Sequence, residues 1–269
     1  MYFTGKTAVV TGANSGIGLE CSRQLLDLGL SKLIILAHPS AIIGVWKLDL
    51  SSNDSILAFV ERTKALDRLD FVVHNAGVVL VKQLHNKSTH HDEVIQVNYL
   101  STALLTLLWL PVLKTKNPSG AGRLVIVSSD VAKEGYDHDR HFTSKLLGQL
   151  FIAELVKRVP ASYGVADPGL CYGAGLNRES DGIIAGYIFA IVKRLVGYSC
   201  AAGARQLTDA AVKHGEEYPG QYVEEGKVLP MAPLVYTSEG EKIAERLWDE
   251  TMAKPDSAHV GDIVKGISK

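Results

Sequence analysis

The 269-residue sequence predicts an α/β fold, a doubly wound parallel sheet with helices on both faces, in a single domain spanning 1–269. Three observations predict it. Short apolar, β-branched runs alternate with helical patterns from Lys6 to Leu150. A glycine-rich turn, Gly12-Ala13-Asn14-Ser15-Gly16-Ile17-Gly18, joins the first such run to the first helical pattern. Polar residues suited to chemistry, Asn75 and Ser129 among them, follow later runs directly, where ligands of parallel sheets bind.

Lys6 to Thr11 is the first strand, and the helix after its glycine turn runs through Leu28. Strand, glycine turn and helix form the context of a phosphate-binding loop, because glycines let the backbone turn towards an anion that faces the helix N-terminus. Leu33 to Leu36 is the second strand, and Val45 to Leu50, containing Asp49, the third. Only Ala37 to Gly44 separate them. Parallel neighbours are usually joined through a helix, but eight residues reach only about 26 Å when extended, so the helix between strands two and three is expected to be missing. Ser51 to Lys64 is a capped helix, and Leu69 to Val73 is a fourth strand entering His74-Asn75-Ala76-Gly77. Val94 to Leu113 is a long helix carrying Asn98, with its apolar stretch closed by Pro111. Leu124 to Val127 is the fifth strand, and a helix begins at His141. Residues 170–200 turn glycine-rich and then apolar, with Tyr172, Tyr187, Ile188 and Phe189; they are read as covering a bulky apolar substrate, with core packing as the alternative. Residues 254–269 read as a loose tail.

Composition narrows the function classes. A net charge of −1 and a pI near 6.8, with Lys and Arg scattered, give no electrostatic case for nucleic acid or an anionic membrane. The three cysteines, Cys21, Cys171 and Cys200, lack metal spacing and point to reduced thiols in the cytoplasm. No secretory leader is read at the N-terminus. The most apolar stretches, Leu100 to Leu113 and Gly182 to Val192, are shorter than the roughly 20 residues of a membrane span, so none is expected. A small-molecule substrate is the expected partner, and a homo-oligomer is compatible with the counts.

The chemistry concentrates between Arg123 and Leu150. His141 and Lys145 are four apart, so on a helix they share one face, and Ser129 at a strand end would meet them. In the functional reading Ser129 donates to a substrate oxygen, Lys145 holds a cofactor hydroxyl and lowers a neighbouring pKa, and His141 moves a proton. In the plain reading they are a strand cap, a surface histidine and a solvated lysine. Asp167, before Pro168-Gly169, could be a cleft base or a strand-end cap. The histidines and carboxylates of Tyr136 to His141 have a loose ligand spacing, but a polar loop is the stronger reading and no metal is expected.

Thr11 to Gly18, Asp49, Asn75-Ala76-Gly77, Asn98, Ser129, Lys145 and Pro168-Gly169 resemble, in order and spacing, the motifs of the short-chain dehydrogenase/reductase family. Ser144 to Leu147, Asp167 to Leu176 and the later run GARQLTDAAV are similar to the reductases of fungal secondary metabolism. The resemblance implies a Rossmann-type fold and a nicotinamide cofactor. Gly12, Asn14, Ser15, Gly16, Ile17 and Gly18 would cradle its pyrophosphate. Asp49 and Leu50 would meet the adenine, and Asn75, Ala76, Gly77, Pro168 and Gly169 would line the rest. It also implies that Asn98 supports a water, Lys145 holds the nicotinamide ribose and Ser129 polarises a carbonyl.

Two departures stand out. The family's tyrosine, four before the lysine, is His141 here, whose imidazole has a shorter reach and whose neighbour Lys145 favours its neutral form. The shortened crossover leaves the adenosine end open and offers His38-Pro39-Ser40 where relatives carry a cofactor-selecting residue. NADP is preferred over NAD on the resemblance alone, and a chain that binds neither is the alternative. The expected function is biosynthetic reduction of a bulky carbonyl compound through Ser129, His141, Lys145, Asn98 and Asp167. A non-redox isomerase or cyclase on the same scaffold and a non-catalytic binding protein are the rivals.

Overall fold

The computed structural model describes residues 3–35, 43–117, 122–134, 139–159, 162–174, 191–192, 194–212, 220–254 and 264. Its strands are β1 (Thr7–Val10), β2 (Lys32–Ile35), β3 (Ile43–Val45), β4 (Phe71–His74), β5 (Arg123–Val127), β6 (Ser162–Ala166), β7 (Cys171–Tyr172), β8 (Tyr198–Ser199), β9 (Gln221–Glu224) and β10 (Lys227–Leu229). The helices that position the site are α1 (Gly16–Asp27), α2 (Asn53–Lys64), α3 (Glu93–Lys116), α4 (Arg140–Arg158), α5 (Cys200–Val212) and α6 (Ser238–Met252).

Eight strands form one sheet in the order β10-β9-β6-β5-β4-β1-β2-β3, parallel except for β10, which returns antiparallel on β9; β7 and β8 form a separate pair. The order reverses between β1 and β4, which are hydrogen-bonded neighbours, so a crevice opens beyond their carboxyl ends. One apolar cluster joins Val9, Val72 and Leu124 to α2, α3 and α4, and a second joins Val10, Val73 and Val125 to α1 and α5. Alternating side chains of each strand thus feed opposite layers, as the doubly wound reading requires.

Three local expectations are corrected. The third strand is Ile43–Val45, not Val45 to Leu50. It pairs with Leu33 to Ile35, and Trp46 N–H bonds the Ile35 carbonyl. Trp46 then turns inward against Phe59 and under Arg62, while Asp49 and Ser51 cap the approach to α2. The long helix passes through Pro111 and continues to Lys116 instead of ending at Leu113. Leu110, Val112 and Leu113 are buried around it, and their packing outweighs the roughly 3 kcal/mol that an interior proline costs. At 24 residues α3 is long and apolar enough to cross a membrane, yet 83% of its apolar window is buried inside the protein, as befits a core helix. Residues 36–42, where the missing crossover helix was expected, lie outside the described residues, as do Tyr136 to His138, Tyr187 to Phe189 and most of 254–269.

Candidate active site

The glycine turn lies at the point where the strand order reverses. Thr11 hydroxyl accepts the N–H groups of Asn75 (3.1 Å) and Ala76 (3.0 Å), and Asn75 Nδ2 donates to the carbonyls of Thr11 (3.0 Å) and Gly12 (3.2 Å). The two strand ends are thereby tied across the crevice. Gly12 and Gly16 have φ of +65° and +57°, which favours glycine. A Cβ on Gly18 would lie 2.4 Å from Asn75 Nδ2 and 2.6 Å from the Gly12 carbonyl oxygen, so α1 can approach the turn only with glycine there. Asn75→Ala should therefore loosen the turn, lowering stability by about 2 kcal/mol for two lost hydrogen bonds; a urea unfolding midpoint measures it.

This arrangement fits the pyrophosphate of a dinucleotide. The Ser15 side chain makes no cap bond to α1, and the first turn of α1 holds no acidic residue. By contrast α2, α3, α4 and α6 are capped by Ser52, Asp92, Asp139 and Thr237. The first N–H groups of a helix have no partner within it, so α1 offers an anion both those donors and the positive end of its dipole. Asn14 and Ser15 are exposed, and Ile17 is half-buried. Asp49 accepts from Ser51 N–H and Ser51 hydroxyl, bonds that hold its carboxyl below the usual range, and Leu50 is buried beside it.

Asn98 sits on a π-helical turn of α3, Gln96–Leu100. Its Oδ1 accepts Val78 N–H (2.8 Å), which fixes the amide orientation, and Nδ2 donates to Val78 O (2.9 Å) and Ser144 Oγ (3.1 Å). The same Nδ2 lies 3.4 Å from His141 Nδ1. Which ring nitrogen donates and which accepts at this contact depends on the imidazole tautomer. Gly77 keeps this region close, since a Cβ there would be 3.1 Å from Asn98 Oδ1.

His141 and Lys145 occupy successive turns of α4, as their spacing requires. Lys145 Nζ donates to Val127 O at 2.9 Å, two residues before Ser129. Burial pulls the lysine down to about 8, opposed by the nearby Asp167 carboxylate. Burial, with the charge of Lys145, pulls His141 down to about 4, opposed by Asp139 and a bond to the Val78 backbone. The imidazole is therefore neutral at physiological pH, and the lysine is the group that titrates near it. Asn98, Ser128, Ser144 and Lys145 also line a cavity of about 20 Å³, room for about one water.

Ser129 is partly exposed and donates to Asp130 Oδ1 at 3.2 Å. Asp167 is 1% exposed. Its oxygens accept Gly169 N–H (2.7 Å), Asp130 N–H (2.7 Å) and Tyr222 hydroxyl (2.9 Å), so it caps the loops after β5 and β6, and burial raises its pKa. Pro168 is buried, and Gly169, with φ +71°, would strike the Tyr198 ring with any Cβ. Asp130, Asp167 and Glu224 form the one group of carboxylates, among the described residues, close enough to share an ion, but Tyr222 and Lys133 already bond two of them.

Sequence reading missed four supports. Ser144 joins Asn98 to the His141 carbonyl. Gln149 bonds Ser128 Oγ and Ala232 N–H. Tyr222 reaches Asp167 from β9. Arg140 holds the carbonyls of Leu80, Val81 and Lys82 and the Asp92 carboxylate. Ser144 and Arg140 could have been found from their spacing to His141 on the helix; Gln149 and Tyr222 act over long sequence separations and carry no local signal.

The description "short chain dehydrogenase" belongs to the family model that matches residues 6–166. The chain belongs to the short-chain dehydrogenase/reductase family. It is 39% identical to the short-chain dehydrogenase fogG of Aspergillus ruber, covering 99% of this chain and 89% of that protein. It is 38% identical to the short chain dehydrogenase/reductase mfmJ of Annulohypoxylon moriforme, covering 97% and 88%. Among solved structures, the KRED1-Pglu enzyme superposes with a TM-score of 0.63 at 20% identity, covering 81% of this chain and all of that one. A short chain dehydrogenase from Burkholderia cenocepacia, solved in complex with NADP, gives 0.64 at 18% identity, covering 83% and 97%. The fold and the short-chain dehydrogenase/reductase family are thus shared.

Proposed function

We propose that this short-chain dehydrogenase/reductase reduces a bulky, carbonyl-bearing small molecule in a biosynthetic route, with NADPH as the hydride donor. The observation that carries the reading is the hydrogen-bonded set Asn98, His141 and Ser144 with Lys145, one loop away from a glycine turn fitted to a pyrophosphate. Preference for the phosphorylated cofactor rests on the resemblance to fungal reductases. Gly12 to Gly18 and Asn75 would hold the dinucleotide, and Lys145 its ribose; when bound it supplies the hydride to the carbonyl carbon. Ser129 would donate a hydrogen bond to the carbonyl oxygen, since its bond to Asp130 is exposed and easily exchanged. His141 would work as a neutral imidazole beside the Asn98 amide. Lys145, charged at neutral pH yet near its own pKa, would release the proton as the oxygen gains charge.

The pH dependence follows from these groups. Lys145 is protonated below about 8, so hydride transfer should be level through neutral pH and fall above that value. His141 protonates only near 4, so no limb is expected around 6.5. A limb near 6.5 in the pH–rate profile would contradict the neutral-imidazole role. His141→Tyr should keep or raise the rate of NADPH-dependent reduction across a panel of bulky aromatic ketones, and His141→Phe should lower it. Equal rates in the two variants would remove His141 from the chemistry.

A non-redox reading has one observation in its favour. A neutral imidazole one turn from an ammonium of lowered pKa is an acid–base pair that could isomerise a substrate without hydride. Deuterium passing from 4-deuterated NADPH into product decides against it.

A further inference from the structure

Arg140 is the first residue of α4, immediately before His141. Its guanidinium reaches four acceptors on two other segments. Nη2 donates to Leu80 O (2.9 Å) and Val81 O (3.2 Å), and Nη1 to Lys82 O (3.2 Å) and Asp92 Oδ2 (3.1 Å). Asp92 is also the cap of α3, where its other oxygen accepts Val94 N–H (2.9 Å) and Ile95 N–H (3.4 Å). One side chain thus joins the start of α4, the cap of α3 and the loop of residues 78–82 that follows β4.

These are the three parts that surround the imidazole of His141. The ring stands on α4, α3 brings the Asn98 amide to 3.4 Å from Nδ1, and the loop brings the Val78 backbone. Residues 78–82 lie in neither strand nor helix, and side chains hold them at both ends. Asn98 holds one end through the N–H (2.8 Å) and carbonyl (2.9 Å) of Val78, and Arg140 holds the other.

We propose that Arg140 is a positioning residue, which clamps the 78–82 loop against His141 and so keeps water from the imidazole. The proposal rests on the reading of His141 as part of the acid–base set, and it concerns how that ring is kept neutral. The groups that face the ring are Lys145 on α4, Asp139 at its cap, Asn98 on α3 and Val78 in the loop. Burial has the largest effect and lowers the pKa, while the bond to Val78 has the smallest and raises it. Freeing the loop removes both, so the net change is upward. Arginine suits the task, because its planar fork offers several donors in a fixed geometry where lysine has one compact ammonium. A lysine at this position would keep the charge and the pairing with Asp92 but could not span three successive carbonyls.

The test is an NMR titration of protein carrying isotope-labelled histidine, with His141→Phe to identify the ring signal of His141. In the wild type this ring should titrate at about 4. In Arg140→Met it should titrate between about 5 and 6.5, nearer a solvated imidazole. Arg140→Lys should shift in the same direction, because charge alone does not hold the loop. An unchanged titration in Arg140→Met would overturn the proposal. A return to the wild-type value in Arg140→Lys would also overturn it, by reducing the effect to one of charge. If Arg140→Met does not fold, Arg140→Lys still decides. The pH–rate profile of NADPH-dependent reduction separates this proposal from the catalytic reading on which it rests. Arg140→Met should gain a limb where its His141 titrates. A shifted ring titration with no such limb would uphold the clamp and count against His141 as a catalytic group.

Discussion

Lys145→Met is expected to lower NADPH-dependent reduction by about 10²- to 10⁴-fold, the usual cost of losing a positioned acid, while raising the melting temperature at pH 7. The two effects share one cause. The folded protein holds this lysine near 8 instead of its ordinary 10.5 because burial disfavours the ammonium. Between those two values the unfolded chain binds more protons than the folded one, so stability rises with pH across that window, and below about 8 the full cost is present. Methionine keeps much of the volume and removes the charge, so at pH 7 it removes that cost. The gain in melting temperature should vanish above about pH 10.5, where neither state of the wild type carries the charge. A lysine with only a structural role, through its bond to Val127 O, would instead lose stability when replaced. Circular dichroism melts at pH 7 and pH 11, beside the rate assay, separate the two.

The second large effect concerns Gly18. An alanine there puts its Cβ 2.6 Å from the Gly12 carbonyl oxygen and 3.0 Å from the Gly12 carbonyl carbon, both backbone atoms. The glycine turn or α1 must move, and overpacking of this kind costs about 1–3 kcal/mol. The functional loss should be larger than the loss of stability, because the displaced atoms are those that would face the pyrophosphate. Gly18→Ala is expected to fold with a lower melting temperature and to lose the thermal shift caused by NADPH. Gly148→Ala is the control, since a Cβ at that helical position meets nothing within 4 Å; it should keep the NADPH shift and gain up to about 1 kcal/mol of stability, alanine being the better helix former.

Much of the fold was legible because its signals are local. The run Lys6 to Thr11 followed by glycines, the alternation of apolar strands with capped helices, and the four-residue spacing of His141 and Lys145 each specify a short-range geometry. The third strand was misplaced because Val45 to Leu50 alternates like a strand, yet Trp46 packs against Phe59 and Asp49 with Ser51 leads into α2. The end of α3 was placed early, at Leu113 instead of Lys116. A proline signals a helix end only where packing does not oppose it, and here Leu110, Val112 and Leu113 are buried around it.

In the site, the residues at strand ends were legible and their protonation states were not. Sequence spacing puts His141 near Lys145 but cannot weigh burial, which sets both pKa values. Asp167 looked equally suited to chemistry and to capping. The structure shows its oxygens occupied by Gly169, Asp130 and Tyr222, and Tyr222 arrives from a strand 55 residues later. A contact of that range leaves no mark in the local pattern.

The central claim, that the strand-end turn of this chain binds a phosphorylated nicotinamide cofactor, is tested most directly by thermal melts with NADPH, NADP, NADH and NAD. A ligand that binds only the folded state raises its melting temperature by mass action. A concentration-dependent rise is expected with NADPH and NADP, larger than with NADH and NAD, and lost in Gly18→Ala. No shift with any of the four would contradict it.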